Sequence, residues 1–220
     1  MSSKAIEDYL KIIYKLADKN KKIESKGVST SAIADRLSIS QASVSNMLKK
    51  LADNDLIKYE PYYGVALLPK GEKIALNMIR KHRVLEQFLV EKLGYSWDEV
   101  DVEAEVLEHA ISDKFTNRMW ESLGRPLRDP HGSPIPDENG EMIADDVISL
   151  AVFPEKKLAN IIRIQSCSPE ELRYFSSIGL VKNAKIMVNS KAPFNGPLSV
   201  EICGIFHALD YRLSESILVS

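Results

Sequence analysis

The stretch that decides the fold of the N-terminal third is residues 30–70, TSAIADRLSISQASVSNMLKKLADNDLIKYEPYYGVALLPK. Apolar side chains recur at helical spacing over Thr30–Leu37 and again from Gln41 to about Asn54. The segment Ser38–Ser40 separates these two patterns by a tight turn. Two strand-like segments follow, and the order helix, turn, helix and hairpin is typical of a winged helix-turn-helix.

The neighbouring segments extend this pattern in both directions. Strands are predicted at Leu56–Tyr59 and Val65–Leu68, which form a β-hairpin. Upstream, Lys4–Asp18 has the apolar spacing of a helix, and downstream Lys70–Leu93 has the same. A further helix is predicted from Ser96 or Asp98 to Leu123. Two long amphipathic helices in succession favour a dimerisation surface, although they could also pack within one monomer.

The C-terminal part has a different character. Prolines and glycines are dense in Arg125–Glu141, which argues against regular structure there. Strands are then predicted at Leu158–Gln165, Ala184–Ser190 and Leu198–Cys203, with a helix at about Pro169–Ile178. We therefore expect a multidomain α+β protein with a winged helix-turn-helix DNA-binding domain at 1–72, a helical dimerisation and metal-binding domain at 73–145, and a small β-barrel at 146–220.

Charge and cysteine content narrow the class of protein. Residues 1–83 carry 16 lysines and arginines against 9 acidic residues, whereas residues 84–220 carry 13 against 22. A basic N-terminal third suits phosphate binding, and an acidic remainder offers oxygen ligands. The two cysteines, Cys167 and Cys203, cannot form a disulfide framework. Because no signal pattern or long apolar run is evident, we expect a cytoplasmic protein without a membrane partner.

The second helix of the predicted helix-turn-helix should enter the major groove of double-stranded DNA. Its first turns carry small polar side chains that let the backbone come close to base edges. These residues are Ser40, Gln41, Ala42, Ser43, Ser45 and Asn46. Arg36, Lys49 and Lys50 are suited to phosphate contacts. The alternative is a winged helix that binds another protein.

Carboxylates and histidines recur at ligand spacing on both long helices. His82 and Glu86 are four residues apart, and the second helix carries Asp101, Glu105, Glu108 and His109 on one face. Such carboxylates repel one another unless a cation lies among them. Oxygen ligands with one or two imidazoles suit Mn²⁺ or Fe²⁺. The alternatives are a solvated face, or a core His82 bonded to Glu86.

Three motifs carry a resemblance to a known family. They are RKHRVLE at 80–86, EVLEHAISD at 105–113, and APFNGPL at 192–198 followed by Ala208-Leu209. Together with the winged helix, the first two resemble the diphtheria toxin repressor family of metal-dependent regulators over essentially the whole chain. The third resembles the SH3-like domain shared with the ferrous-transport accessory protein FeoA, which implies that the C-terminal barrel is SH3-like.

The resemblance implies a primary corepressor site. Its ligands would be Asp8, Glu105, Glu108 and His109. The family's iron-sensing members have methionine in place of Asp8 and cysteine in place of Glu105, so Mn²⁺ is the expected ion and Fe²⁺ the alternative. The two-domain manganese sensors have a glutamate at the position of Lys11, and a charged lysine cannot bridge two ions.

The three-domain manganese-sensing members match better, including the loop motif Pro130–Gly132. Their resemblance implies a secondary site of His82, Glu86 and His131, with Asp129 as a further candidate. The C-terminal domain would complete it, and the candidates there are Glu170, Cys167 and Glu171.

The resemblance therefore implies a repressor of metal-uptake genes that binds palindromic operator DNA as a homodimer when loaded with Mn²⁺. An iron-responsive member of the same family is the nearest alternative. A metal-independent winged-helix regulator is a second, and a metal-dependent hydrolase is a third. We do not expect an enzyme, because the sequence shows no Ser/His/Asp arrangement, zinc-protease helix motif or phosphate-cradling loop.

Overall fold

The computed structural model describes residues 3–20, 27–60, 63–144, 146–165 and 167–220. It divides into two compact units: residues 1–81 with 136–141, and residues 82–135 with 142–220. Among the described residues, none of the helices combines the length and the apolar character that a membrane span requires.

The first unit is the winged helix-turn-helix that the sequence predicts. Its elements are α1 (Ser3–Asn20), α2 (Thr30–Leu37), α3 (Gln41–Asp53), β1 (Ile57–Glu60), β2 (Gly64–Leu67) and the start of α4 (Pro69–Leu93). The two strands are antiparallel, with Ile57 opposite Leu67 and Glu60 opposite Gly64. Each strand lies one residue away from its predicted position, and Pro61 and Tyr62 of the hairpin tip lie outside the described residues.

Local hydrogen bonds explain where the two helices of the motif begin. Ser29 Oγ accepts from the backbone N–H of Ala32 at 3.1 Å, and Ser40 Oγ accepts from that of Ser43 at 3.2 Å. Serine in this position satisfies a backbone donor that the first turn leaves open. The buried side of α3 then packs into the core of the unit through Val44, Leu48 and Leu51.

The helical part of the second unit corrects one prediction. The single helix expected up to Leu123 is two helices, α5 (Val100–Leu107) and α6 (Asp113–Ser122). The break follows Leu107, and Ser112 starts the second helix by accepting a hydrogen bond from Phe115 N at 3.2 Å. Apolar spacing continues across the break, so periodicity alone could not show it.

The C-terminal part of the second unit is a six-stranded antiparallel sheet with two short helices. Its elements are β3 (Ile148–Ser149), β4 (Leu158–Ile164), α7 (Pro169–Ser177), β5 (Lys185–Lys191), β6 (Leu198–Ile202), β7 (Ile205–Leu209), α8 (Tyr211–Glu215) and β8 (Ile217–Val219). The strand order is β3-β8-β4-β5-β6-β7. The predicted class, a multidomain α+β protein with a C-terminal β domain, is confirmed, but β3, β7, α8 and β8 were not predicted.

Candidate metal centre

His82 is the residue on which the buried polar groups of the second unit converge. It lies on α4 and is 3% exposed. Its Nδ1 is 2.7 Å from Glu108 Oε2, and its Nε2 is 3.2 Å from Asp101 Oδ1. The same Nε2 is 3.6 Å from Glu86 Oε1, one helical turn along α4. We call His82, Glu86, Asp101 and Glu108 the imidazole cluster.

The charges in this cluster depend on one another. Burial favours the neutral imidazole, but the carboxylates of Glu86, Asp101 and Glu108 outweigh it and raise the pKa of His82 from 6.5 to about 10. Burial likewise raises the pKa of Glu86, but His82 and His131 outweigh it and hold that pKa well below its usual range. In the metal-free protein the imidazolium is therefore the cation that keeps buried carboxylates ionised.

The residues predicted for the primary site fall in both units. Glu105, Glu108 and His82 each offer a ligand atom, and these atoms lie within 4.8 Å of one another. His109 follows directly, with Nε2 3.5 Å from Glu108 Oε1. Asp8 lies on α1 in the first unit. Its place among the ligands stays a prediction.

A second group of ligand atoms lies beside the imidazole cluster. Glu86, Asp129 and His131 offer atoms within 4.8 Å of one another, and we call them the loop cluster. His131 Nδ1 is 3.4 Å from Glu86 Oε1. Asp129 is 2% exposed, and burial together with the charge of Glu86 raises its pKa. Glu86 belongs to both clusters, so the two share one carboxylate.

The structure does not bring Glu170 to the loop cluster. Its carboxylate pairs with Arg173 at 3.2 Å, and its side chain is 74% exposed. Glu171 caps α7 through Ser168 N at 2.9 Å and pairs with Arg212 at 2.7 Å. In the described part of the chain, no carboxylate, imidazole or thiol of the C-terminal domain joins the loop cluster.

Sequence reasoning left Asp101 out of the ligand set, although its spacing placed it on the correct helix face. The structure groups it with His82 and Glu86 within 4.8 Å. Its signal was the four-residue step from Asp101 to Glu105, which the resemblance did not single out.

These two clusters fit a divalent transition metal. They combine several carboxylates with imidazoles, and three of the members, His82, Glu86 and Glu108, are buried. Buried carboxylates need a counter-charge, and a hard oxygen-rich set with imidazole nitrogen suits Mn²⁺ or Fe²⁺. In the groups that the described residues form, no thiolate takes part, which is unlike most structural zinc sites.

The predicted DNA-contacting residues lie in the first unit. Their side chains are exposed except for Ser45, which is half-buried: Arg36, Ser40, Gln41, Ala42, Ser43, Asn46, Lys49 and Lys50. We call α3, with the Ser40 cap before it, the reading helix. Its opposite face is buried, so the polar face stays open to a groove.

Comparisons with known proteins match nearly the whole chain in three parts. Residues 1–65 match the iron dependent repressor N-terminal DNA binding domain, and residues 68–137 match its metal binding and dimerisation domain. Residues 148–220 match the FeoA domain.

The relatives are metal-dependent regulators by name. The chain is 36% identical to the HTH-type transcriptional regulator MntR of Oceanobacillus iheyensis over 126 residues, which are 57% of this chain and 76% of that protein. It is 32% identical to the iron-dependent repressor IdeR of Mycobacterium tuberculosis over 162 residues, 72% of this chain and 64% of that protein. A solved structure of a manganese-dependent transcriptional repressor in complex with manganese is similar at 38% identity and TM-score 0.88, over 98% of this chain and 99% of that one.

Proposed function

Since this chain belongs to the iron-dependent repressor family of metal-dependent transcriptional regulators, we propose that it binds operator DNA as a homodimer when its centre holds Mn²⁺. Fe²⁺ is the alternative ion. The proposal divides the chain into a DNA-binding domain at 1–72, a dimerisation and metal-binding domain at 73–145 and an SH3-like domain at 146–220. Its place of action is the cytoplasm, where the operator is.

The observation that carries the proposal is the burial of ionisable groups from separate segments around His82. Glu86 lies on the same helix, Asp101 on α5 and Glu108 just after it, yet His82, Glu86 and Glu108 are all at most 3% exposed. So many buried charges cost stability and are kept where they bind something. A bound divalent cation would supply the positive charge that these carboxylates otherwise draw from His82.

Two ligand sets follow from the residues. The primary set is Asp8, Glu105, Glu108 and His109, with Asp8 retained from the sequence. The secondary set is His82, Glu86, Asp129 and His131. Oxygen ligands predominate in both, which favours Mn²⁺ over the iron-selective arrangement with sulfur.

Exposed apolar side chains support the homodimer. Val102 and Val106 lie one turn apart on α5 and are both 64% exposed, and Phe115 on α6 is 53% exposed. A group of this kind on helices in a small regulator is typical of a protein–protein interface. Two copies would present two reading helices to a palindromic operator.

Glu108→Gln tests the proposal directly. The substitution keeps the shape of a buried side chain but removes its charge, so Mn²⁺-dependent operator binding should weaken about 100-fold. The matched control is Glu121→Gln, which neutralises a surface carboxylate of α6 and should bind like the wild type. Unchanged Mn²⁺-dependent binding of a folded Glu108→Gln protein would overturn the proposed role of the centre.

A further inference from the structure

The two ring nitrogens of His131 face different partners. Nε2 is 2.8 Å from the backbone carbonyl oxygen of Trp97, and Nδ1 is 3.4 Å from Glu86 Oε1. A carbonyl oxygen only accepts hydrogen bonds, so Nε2 must carry a proton. In the neutral ring Nδ1 then holds the lone pair, and it faces the loop cluster.

Trp97 fixes the ring of His131 as well as its proton. The two rings stack, with centroids 5.5 Å apart and planes inclined by 28°. A backbone acceptor at one edge and an aromatic face above leave the imidazole little freedom to rotate or flip. The carbonyl and the indole belong to the same residue, so they act together.

Trp97 is in turn held by the C-terminal sheet domain. Its Nε1 donates to Ser176 Oγ on α7 at 2.7 Å, and the adjacent Asp98 accepts from Arg173 Nη1 at 2.9 Å. The indole also packs against the core of that domain. The connection between α4 and α5 is therefore fastened to α7 at two neighbouring residues.

The loop that carries His131 is fastened to the same domain from the other side. Ile164 N donates to His131 O at 2.8 Å, and Lys182 Nζ donates to Asp129 O at 2.7 Å. Thus the sheet domain surrounds the loop cluster with contacts to backbone atoms and to Trp97. In the described part of the chain it gives that cluster no ligand atom of its own.

We propose that Trp97 is a positioning residue of the metal centre, which holds His131 as the Nε2–H tautomer with Nδ1 aimed at the loop cluster. The C-terminal domain then acts on the secondary site through the Ser176–Trp97–His131 contacts rather than by ligation. This inference rests on the proposed function, in which His131 belongs to the secondary set. Hydrogen-bond partners of this kind typically change metal affinity 10- to 100-fold when removed.

Nitrogen-15 NMR of the His131 ring in the metal-free full-length protein tests the tautomer. The measurement is made at a pH at which the ring is neutral, and the wild type should show the proton on Nε2. Trp97→Ala should give a mixture of tautomers, whereas Trp97→Phe keeps an aromatic face and should retain most of the wild-type signature. A purely structural role would lower the melting temperature of Trp97→Ala without moving the tautomer.

Mn²⁺ titration of the same proteins by calorimetry gives the second readout. Trp97→Ala should weaken the second binding step about 10-fold and leave the first nearly unchanged, with a smaller effect for Ser176→Ala. Trp120→Phe is the control, because that indole donates to Pro126 O at 3.0 Å, away from His131. A wild-type Nδ1–H tautomer, or a folded Trp97→Ala protein with unchanged tautomer and titration, overturns the positioning role. Uptake of a single Mn²⁺ by the wild type refutes the secondary site instead, and the tautomer result still decides the role of Trp97.

Discussion

The reading helix and the metal centre are built in opposite ways. The reading helix is one continuous segment whose functional side chains are exposed and whose start is set by its own Ser40 cap. The metal centre gathers buried side chains from α4, α5 and the loop at 129–131, and each carboxylate depends on a neighbour for its charge. The difference teaches that contact with DNA needs an accessible surface, whereas a metal switch needs groups that are costly to leave unpaired.

This comparison can be broken first at Gly132, which holds the loop of the metal centre against the sheet domain. A Cβ there would lie 1.9 Å from Ile162 O, and the residue has φ +90°. Gly132→Ala should therefore lower the free energy of unfolding by about 4 kcal/mol or more. Gly94→Ala is the matched control, because it has φ +74° but nothing within 4 Å of the added Cβ.

The control should cost only the conformational penalty of about 1–2 kcal/mol. Denaturant unfolding of both variants measures the difference. Equal losses of stability in the two variants would contradict the close contact between the loop and β4.

The pH dependence of the metal-free protein sharpens the same comparison. The pKa of His82 is raised from 6.5 to about 10, so its stabilising effect is complete below pH 6.5 and is lost as the pH rises toward 10. The pKa of Glu86 is lowered from 4.5, so its effect is present above that value and is lost as the pH falls below it. The melting temperature should therefore be highest between about pH 4.5 and 6.5.

His82→Gln should lower the melting temperature at pH 6 and flatten the decline between pH 6.5 and 10. His207→Gln, on β7 of the sheet domain, should keep the wild-type profile. A melting temperature in the wild type that rises steadily from pH 6.5 to 9 would refute the ion pairing of His82.

The smallest change in stability is expected on the reading helix. Gln41 is exposed in the first turn of α3, so Gln41→Ala should leave the melting temperature within about 1 °C and the Mn²⁺ titration unchanged. Operator binding should weaken by about 1–3 kcal/mol if Gln41 contacts a base. Equilibrium DNA binding at fixed salt measures this, and equal affinity for the operator would remove Gln41 from the base contacts.

The reading helix and the metal centre also differ in how far the sequence predicts them. The helix-turn-helix follows from local signals: apolar spacing and two serine caps over some twenty residues. Confirmation of this motif owes little to distant contacts. By contrast, the break after Leu107 interrupts an unbroken apolar pattern, and only packing in three dimensions sets it.

In the sheet domain, the strands that were missed lacked a usable signal. Ile205 and Phe206 of β7 are adjacent and both largely exposed, and β8 has only three residues. Glu170 was chosen as a ligand from its position in the chain, but its neighbour in space is Arg173, three residues further on the same helix. The role of Trp97 depends on contacts with residues 34 and 79 positions away, which no local pattern reveals.

The most direct measurement is binding of the metal-free protein to the promoter of a metal-uptake gene, titrated with Mn²⁺, with Fe²⁺ under anaerobic conditions and with Zn²⁺. The account predicts that binding appears only when metal is added, and that Mn²⁺ acts at the lowest concentration. Equal binding with and without metal would contradict it, because the winged helix would then act as a metal-independent regulator.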